Sequence, residues 1–200
     1  MIAEFQLWKP TDVDTPKAII VLTPPSQSDG RWDTKDRGWR LFAKRYGCAL
    51  VGCHFRDQFP SGIEEYANAR ISGQALIDFI SEKLPGYDFT KKLLLFGFSA
   101  GGQFNYEFAV NYPQLVKAFV VNKGGIYYTA LAPPATRATP GLLIVGKFDD
   151  QWRQMILNGI FMVNRVAGAV WEYFSEPCGH DLCQSEFIGR KFFAKVLERT

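Results

Sequence analysis

The chain has 200 residues, of which 47% are hydrophobic and 22% charged, a length and apolar content that suit a single folded domain over residues 1–200 and exclude a disordered chain. Its 23 basic and 20 acidic residues leave a net charge of +3, spread without a block or stripe, so no nucleic-acid partner is expected. No apolar run approaches the length of a bilayer crossing, which predicts no membrane segment.

The chain opens with MIAEFQLWKP, which lacks a basic segment followed by an apolar one, so a cytoplasmic location is expected. An edge strand is predicted over residues 3–8. The runs KAIIVLT (17–23), CALVGCHF (48–55), KLLLFGF (92–98), VKAFVVN (116–122), GLLIVGK (141–147) and AVWEYF (169–174) then read as strands. Most are continuous in apolar residues, as strands buried on both faces are. Helices fall between them. One is expected over 35–46, and a second from about Glu64, with Leu76, Phe79, Ile80 and Leu84 on one face. Others are expected over 100–112, stopped at Pro113, and over 151–166. In the last segment Ile188, Phe192, Phe193, Val196 and Leu197 share a face. The proline-rich stretches TPPSQSDG (23–30) and ALAPPATRATPG (130–141) read as loops. Strict alternation of strand and helix predicts an α/β fold, a mostly parallel, doubly wound sheet in three layers. In such sheets chemistry sits at the carboxyl ends of the strands.

One strand end carries a pattern with a physical reason behind it. Gly97-Phe98-Ser99-Ala100-Gly101 fits Gly-x-Ser-x-Gly directly after a buried-strand run and before a helical segment. A serine on so tight a turn needs minimal neighbours two residues before and after it, because a side chain there would strike the adjoining strand and helix. A serine hydroxyl is a weak nucleophile and needs a base within hydrogen-bond reach. The chain has two histidines, His54 and His180. His180 lies in EPCGHDLC, a loop able to reach over the sheet edge, and is the better candidate; His54, inside a strand run, reads as a structural or pocket-lining residue. The base in turn needs a carboxylate to orient it. LLIVGKFDD supplies Asp149, with Asp150 as the alternative; the one not facing the histidine is expected to cap the helix that starts near Gln151.

The four cysteines give no metal-ligand spacing, and no metal or cofactor is expected. Cys48 and Cys53 fall in a buried strand run. A bridge between Cys178 and Cys183 would close a short loop around His180, which a reducing compartment disfavours.

With these residues in place, the sequence resembles small serine hydrolases of the α/β-hydrolase fold, similar to carboxylesterases and dienelactone-hydrolase-like enzymes. The resemblance rests on the Gly97–Gly101 elbow, on Asp149 three residues after Gly146, and on His180 in the final loop. Their order, Ser99 then Asp149 then His180, is the order that fold uses. It implies hydrolysis of a small-molecule ester or thioester through an acyl-enzyme. The amide of Ala100 would be one oxyanion donor. Relatives commonly begin the loop after the first central strand with His-Gly, where this chain has Thr23-Pro24-Pro25. Neither proline can donate, so the second donor would come from Ser26 or Gln27. The segment 122–140, where many relatives insert a lid, is short, which predicts an open site. Phe98, Phe148, Trp152 and Trp32 are candidates to line a substrate pocket. Two alternatives share these residues or this fold: acyl transfer to an acceptor other than water, and a non-catalytic binding module.

Overall fold

Buried parallel strands are assembled from the apolar runs into one seven-stranded sheet. The computed structural model describes residues 1–57 and 64–199. The strands are β1 (Ile2–Trp8), β2 (Ile19–Thr23), β3 (Ala49–Arg56), β4 (Leu93–Phe98), β5 (Val116–Asn122), β6 (Gly141–Gly146) and β7 (Glu172–Glu176). They lie in the order β1-β3-β2-β4-β5-β6-β7. Only β1 is antiparallel to its neighbour. The chain moves from β2 outward to β3, then returns to place β4 on the other side of β2. That reversal opens a crevice at the carboxyl ends of β2 and β4, the position where doubly wound sheets bind ligands.

Alternate side chains of each central strand enter opposite cores, as the two-residue period of a strand requires. From β2, Ile19 and Val21 join Leu76, Phe104, Phe108, Leu157 and Ile160. These come from helices α2 (Ile71–Lys83), α3 (Ala100–Asn111) and α5 (Gln151–Val166). Ile20 and Leu22 point the other way, to Trp39, Phe42, Phe192 and Phe193 of α1 (Arg37–Tyr46) and α6 (Ser185–Glu198). This is the predicted three-layer arrangement.

Three elements differ from expectation. The second helix begins at Ile71, not near Glu64: residues Glu65–Asn68 form a 3-10 turn. That turn ends at Ala69, held at φ +59°, and the Ser72 hydroxyl donates to the Tyr66 carbonyl (2.5 Å). The last strand runs over Glu172–Glu176, later than the apolar run AVWEYF. Ala169 and Val170 donate their amides to Asn164 and Arg137, and the Trp171 indole donates to the Thr139 carbonyl (3.2 Å), so pairing with β6 starts only at Glu172. Within the proline-rich loop, Pro134–Arg137 forms a single helical turn, α4, because proline suits the first helical position.

The segment between β5 and β6 carries no lid. It is fastened from below by Glu107 of α3, whose buried carboxylate accepts the amides of Tyr128 (2.7 Å) and Thr129 (3.0 Å). Burial pushes this carboxyl above its ordinary value against the opposing pull of those hydrogen bonds.

Candidate active site

Ser99 occupies the turn between β4 and α3 with φ +55° and ψ −120°, a backbone region that side-chain-bearing residues rarely adopt. The turn is possible because its neighbours are bare. A Cβ on Gly97 would overlap the Gly101 carbonyl, and one on Gly101 would overlap the Thr23 and Pro24 carbonyls. The Ser99 amide donates to the Asn122 carbonyl at the end of β5 (2.8 Å).

Three side chains from three strand ends meet there. The Ser99 Oγ lies 3.0 Å from His180 Nε2, and His180 Nδ1 lies 2.9 Å from Asp149 Oδ2. A carboxylate only accepts, so the imidazole proton sits on Nδ1 and Nε2 is left to accept from the serine hydroxyl. Such a chain can draw the proton from the hydroxyl and stabilise the imidazolium that forms. Asp149 is buried, and its Oδ1 accepts the amide of Asp150 (2.7 Å) and Arg153 Nε (3.1 Å). Burial alone would raise its carboxyl. The hydrogen bond from His180, the Asp150 amide and Arg153 outweigh that and hold it below its ordinary value.

Asp150 stands at the cap position of α5, but its side chain accepts no helix amide, which corrects the expectation that it would cap. It turns outward instead, 3.7 Å from Arg153 Nη2. Arg153 spans both acids and stacks on the Trp152 ring, 4.4 Å from its centroid. Sequence reasoning passed over Arg153; its place four residues after Asp149 at a helix start is the signal that pairs the two.

Ala100 is the first residue of α3, where an amide has no partner within the helix. Beside it, the Thr23 and Pro24 backbone lies over Gly101. Ser26 and Gln27 form the following turn, closed by the Ser28 amide on the Pro25 carbonyl (3.2 Å), with Gln27 at φ +61°. Among the described residues neither the Ser26 nor the Gln27 amide has a hydrogen-bond partner. Phe98 packs its ring 5.0 Å from that of His180. Phe148 and Trp152 are exposed on the turn and helix start that carry Asp149. The Trp152 ring lies against the chain at Gly125, where a Cβ would come within 2.8 Å of it. Trp32 stands apart from these: it lines a cleft with Phe5, Trp8, Lys35 and Arg40, beside β1, with β3 and β2 between that strand and β4. His54 is bound to Glu4 of β1 through Nδ1 (3.0 Å).

The loop carrying His180 is closed covalently. Cys178 and Cys183 form a disulfide, while Cys48 and Cys53 remain buried thiols. Burial pushes the Cys48 thiol up to about 12 and Cys53 up as well, so neither is a reactive thiolate at neutral pH. Beneath the loop lies a buried ion pair, Lys123 with Glu176, which the sequence reading did not single out.

This sheet order, the serine turn after β4 and the acid and histidine after β6 and β7 define an α/β-hydrolase fold. No family model matches the sequence, and no curated protein does so either. Among solved structures, the chain is similar to esterase PE8, with a TM-score of 0.71 at 17% identity over 96% of this chain and 99% of that one. A ferulic acid esterase superposes with a TM-score of 0.73 at 10% identity, covering 98% and 92% of the two chains. S-formylglutathione hydrolase FrmB from Staphylococcus aureus does so at 0.65 and 14% identity, covering 94% and 83%. Among the described residues, no helix is long and apolar enough to cross a membrane.

Proposed function

We propose that the protein is a serine hydrolase that cleaves small or exposed esters through an acyl-enzyme. The observation that carries this reading is the unbroken hydrogen-bond chain from Ser99 through His180 to Asp149, set on a strained turn of the kind that presents a nucleophile. Solved structures of the same fold that are named esterases support an ester as the substrate class.

In this mechanism His180 Nε2 takes the hydroxyl proton as Ser99 Oγ bonds to the substrate carbonyl carbon. The carbonyl π electrons move to oxygen, and the oxyanion is held by the Ala100 amide with a second donor from Ser26 or Gln27. Collapse expels the alcohol, which leaves with the proton from His180. Water then attacks the acyl-enzyme, giving its proton to His180, and the acid departs as the proton returns to Ser99. Asp149 keeps Nδ1 protonated throughout and balances the imidazolium charge.

Replacing Ser99 with alanine should abolish hydrolysis of short-chain 4-nitrophenyl esters and labelling by a fluorophosphonate, followed by intact mass. Unchanged turnover in Ser99→Ala would refute the assignment. Wild-type protein that binds esters without reacting with either reagent would point to the non-catalytic module that the Pro24-Pro25 loop favours.

A further inference from the structure

A charged pair hidden under the His180 loop has no part in the mechanism above. Lys123 and Glu176 side chains are 0% and 4% exposed, and Lys123 Nζ lies 2.5 Å from Glu176 Oε2. Burying two charges is a poor route to stability, because desolvation cancels much of their attraction and an apolar pair of similar volume often does as well. What the pair touches is more informative. Lys123 Nζ also donates to Asn122 Oδ1 (3.2 Å) and contacts Ser185 Oγ (3.0 Å), and the Asn122 carbonyl is the group that receives the Ser99 amide. On the other side, Glu176 Oε1 accepts the Gln184 amide (2.6 Å) and Oε2 accepts the Ser185 hydroxyl (2.7 Å).

Glu176 ends β7, and Gln184 and Ser185 begin α6, so one carboxylate ties together both ends of the loop that carries His180. Its counter-ion is adjacent in sequence to the residue that carries Ser99. The loop is also seated from the side: a Cβ on Gly146 would come within 2.5 Å of the Gly179 carbonyl. The two reacting side chains are therefore linked by a buried route that does not pass through Asp149.

We propose that Lys123 and Glu176 are positioning residues that set the separation of His180 from Ser99, an inference that rests on the serine-hydrolase reading. A displacement of order 1 Å at reacting atoms costs about 100-fold in rate. The pair should therefore act on kcat and leave substrate binding alone.

The test compares wild type with Glu176→Gln and with the double variant Lys123→Met/Glu176→Leu, using a short-chain 4-nitrophenyl ester. Thermal unfolding and the downfield Nδ1 proton resonance of His180 are measured on the same samples. Glu176→Gln should lower kcat by about 10- to 100-fold, with little change in KM, and shift the His180 resonance. The double variant leaves no unpaired buried charge and should recover stability without recovering kcat. A double variant as stable as wild type with undiminished kcat would overturn the proposal, as would folded Glu176→Gln with kcat and resonance unchanged. Should neither accumulate as folded protein, Ser185→Ala, which leaves both charges in place, decides by the same two readings. Wild type that neither turns over ester nor takes the fluorophosphonate label would sink the hydrolase reading itself. Active wild type with unaffected variants would sink only the positioning role.

Discussion

Ser99 concentrates the conflict between local and global preference in one residue. Its backbone, at φ +55°, costs about 1–3 kcal/mol relative to an ordinary conformation, and the surrounding structure over-determines it. Glycines at 97 and 101 leave no alternative filling for the turn, and the bond to the Asn122 carbonyl fixes its exit. Asp149 shows the opposite economy, a charge made comfortable by its partners. Its carboxyl is held below the unfolded value near 3.8. A depressed acid contributes stability that is fully present above the unfolded pKa and is lost as pH falls through the folded one. The Asp149 contribution should thus be complete above about pH 4 and fade below it, so Asp149→Asn should show a shallower acid limb in thermal unfolding. The same substitution should lower kcat by roughly 10⁴-fold, since an amide no longer fixes the imidazole proton on Nδ1. An acid limb identical in the two proteins would show that Asp149 is not among the groups whose protonation unfolds the chain.

At the scale of elements, the loop between β7 and α6 is restrained in two independent ways. A disulfide closes it and a buried carboxylate anchors both ends. Cys183 is exposed, so a mild reductant can reach the bond. A loop this short removes little entropy from the unfolded chain, and its reduction should cost about 2 kcal/mol. For a chain of this size that is a fall of about 5 °C in melting temperature, read by calorimetry with and without reductant or in a Cys178→Ser/Cys183→Ser variant. No change would mean that the Glu176 anchor alone defines the loop. Much of this region was legible in the sequence in outline and not in detail. The strands were readable because parallel strands buried on both faces are apolar without interruption, and Ser99, Asp149 and His180 because each stands at a strand end in a recognisable order. Lys123 was not: a lysine beside Gly124 and Gly125 reads as a solvated loop residue, and its partner lies 53 residues further on. The start of α2 was missed for a related reason. The stretch before Ile71 sends Tyr66, Ala67 and Ala69 into the core and so reads as part of the helix, and the left-handed turn at Ala69 has no glycine to announce it.

For the whole molecule, the decisive feature is how little of the described chain between β5 and β6 covers the carboxyl edge of the sheet. The connection from β5 to β6 holds one helical turn and is drawn down by Glu107, so it is fastened away from the role of a movable cover. His180 remains 31% exposed, and Phe148 and Trp152, exposed on the turn and helix start that carry Asp149, are the proposed apolar rim of the site. An acyl chain that reaches past such a rim buries no further apolar surface, and without added burial it gains no added transition-state binding. On a series of 4-nitrophenyl esters, kcat/KM should therefore level off or fall beyond about four acyl carbons, where each further methylene would contribute about 0.8 kcal/mol if it were buried. For the same reason the rate should follow a smooth saturation curve as a sparingly soluble ester passes its solubility limit. A closed cover that opened on an oil surface would instead give a sharp rise at that concentration, together with a preference that climbs with chain length. The combination of a flat chain-length profile and the absence of a jump is what a site without a movable cover between β5 and β6 requires, because Glu107 holds that connection down.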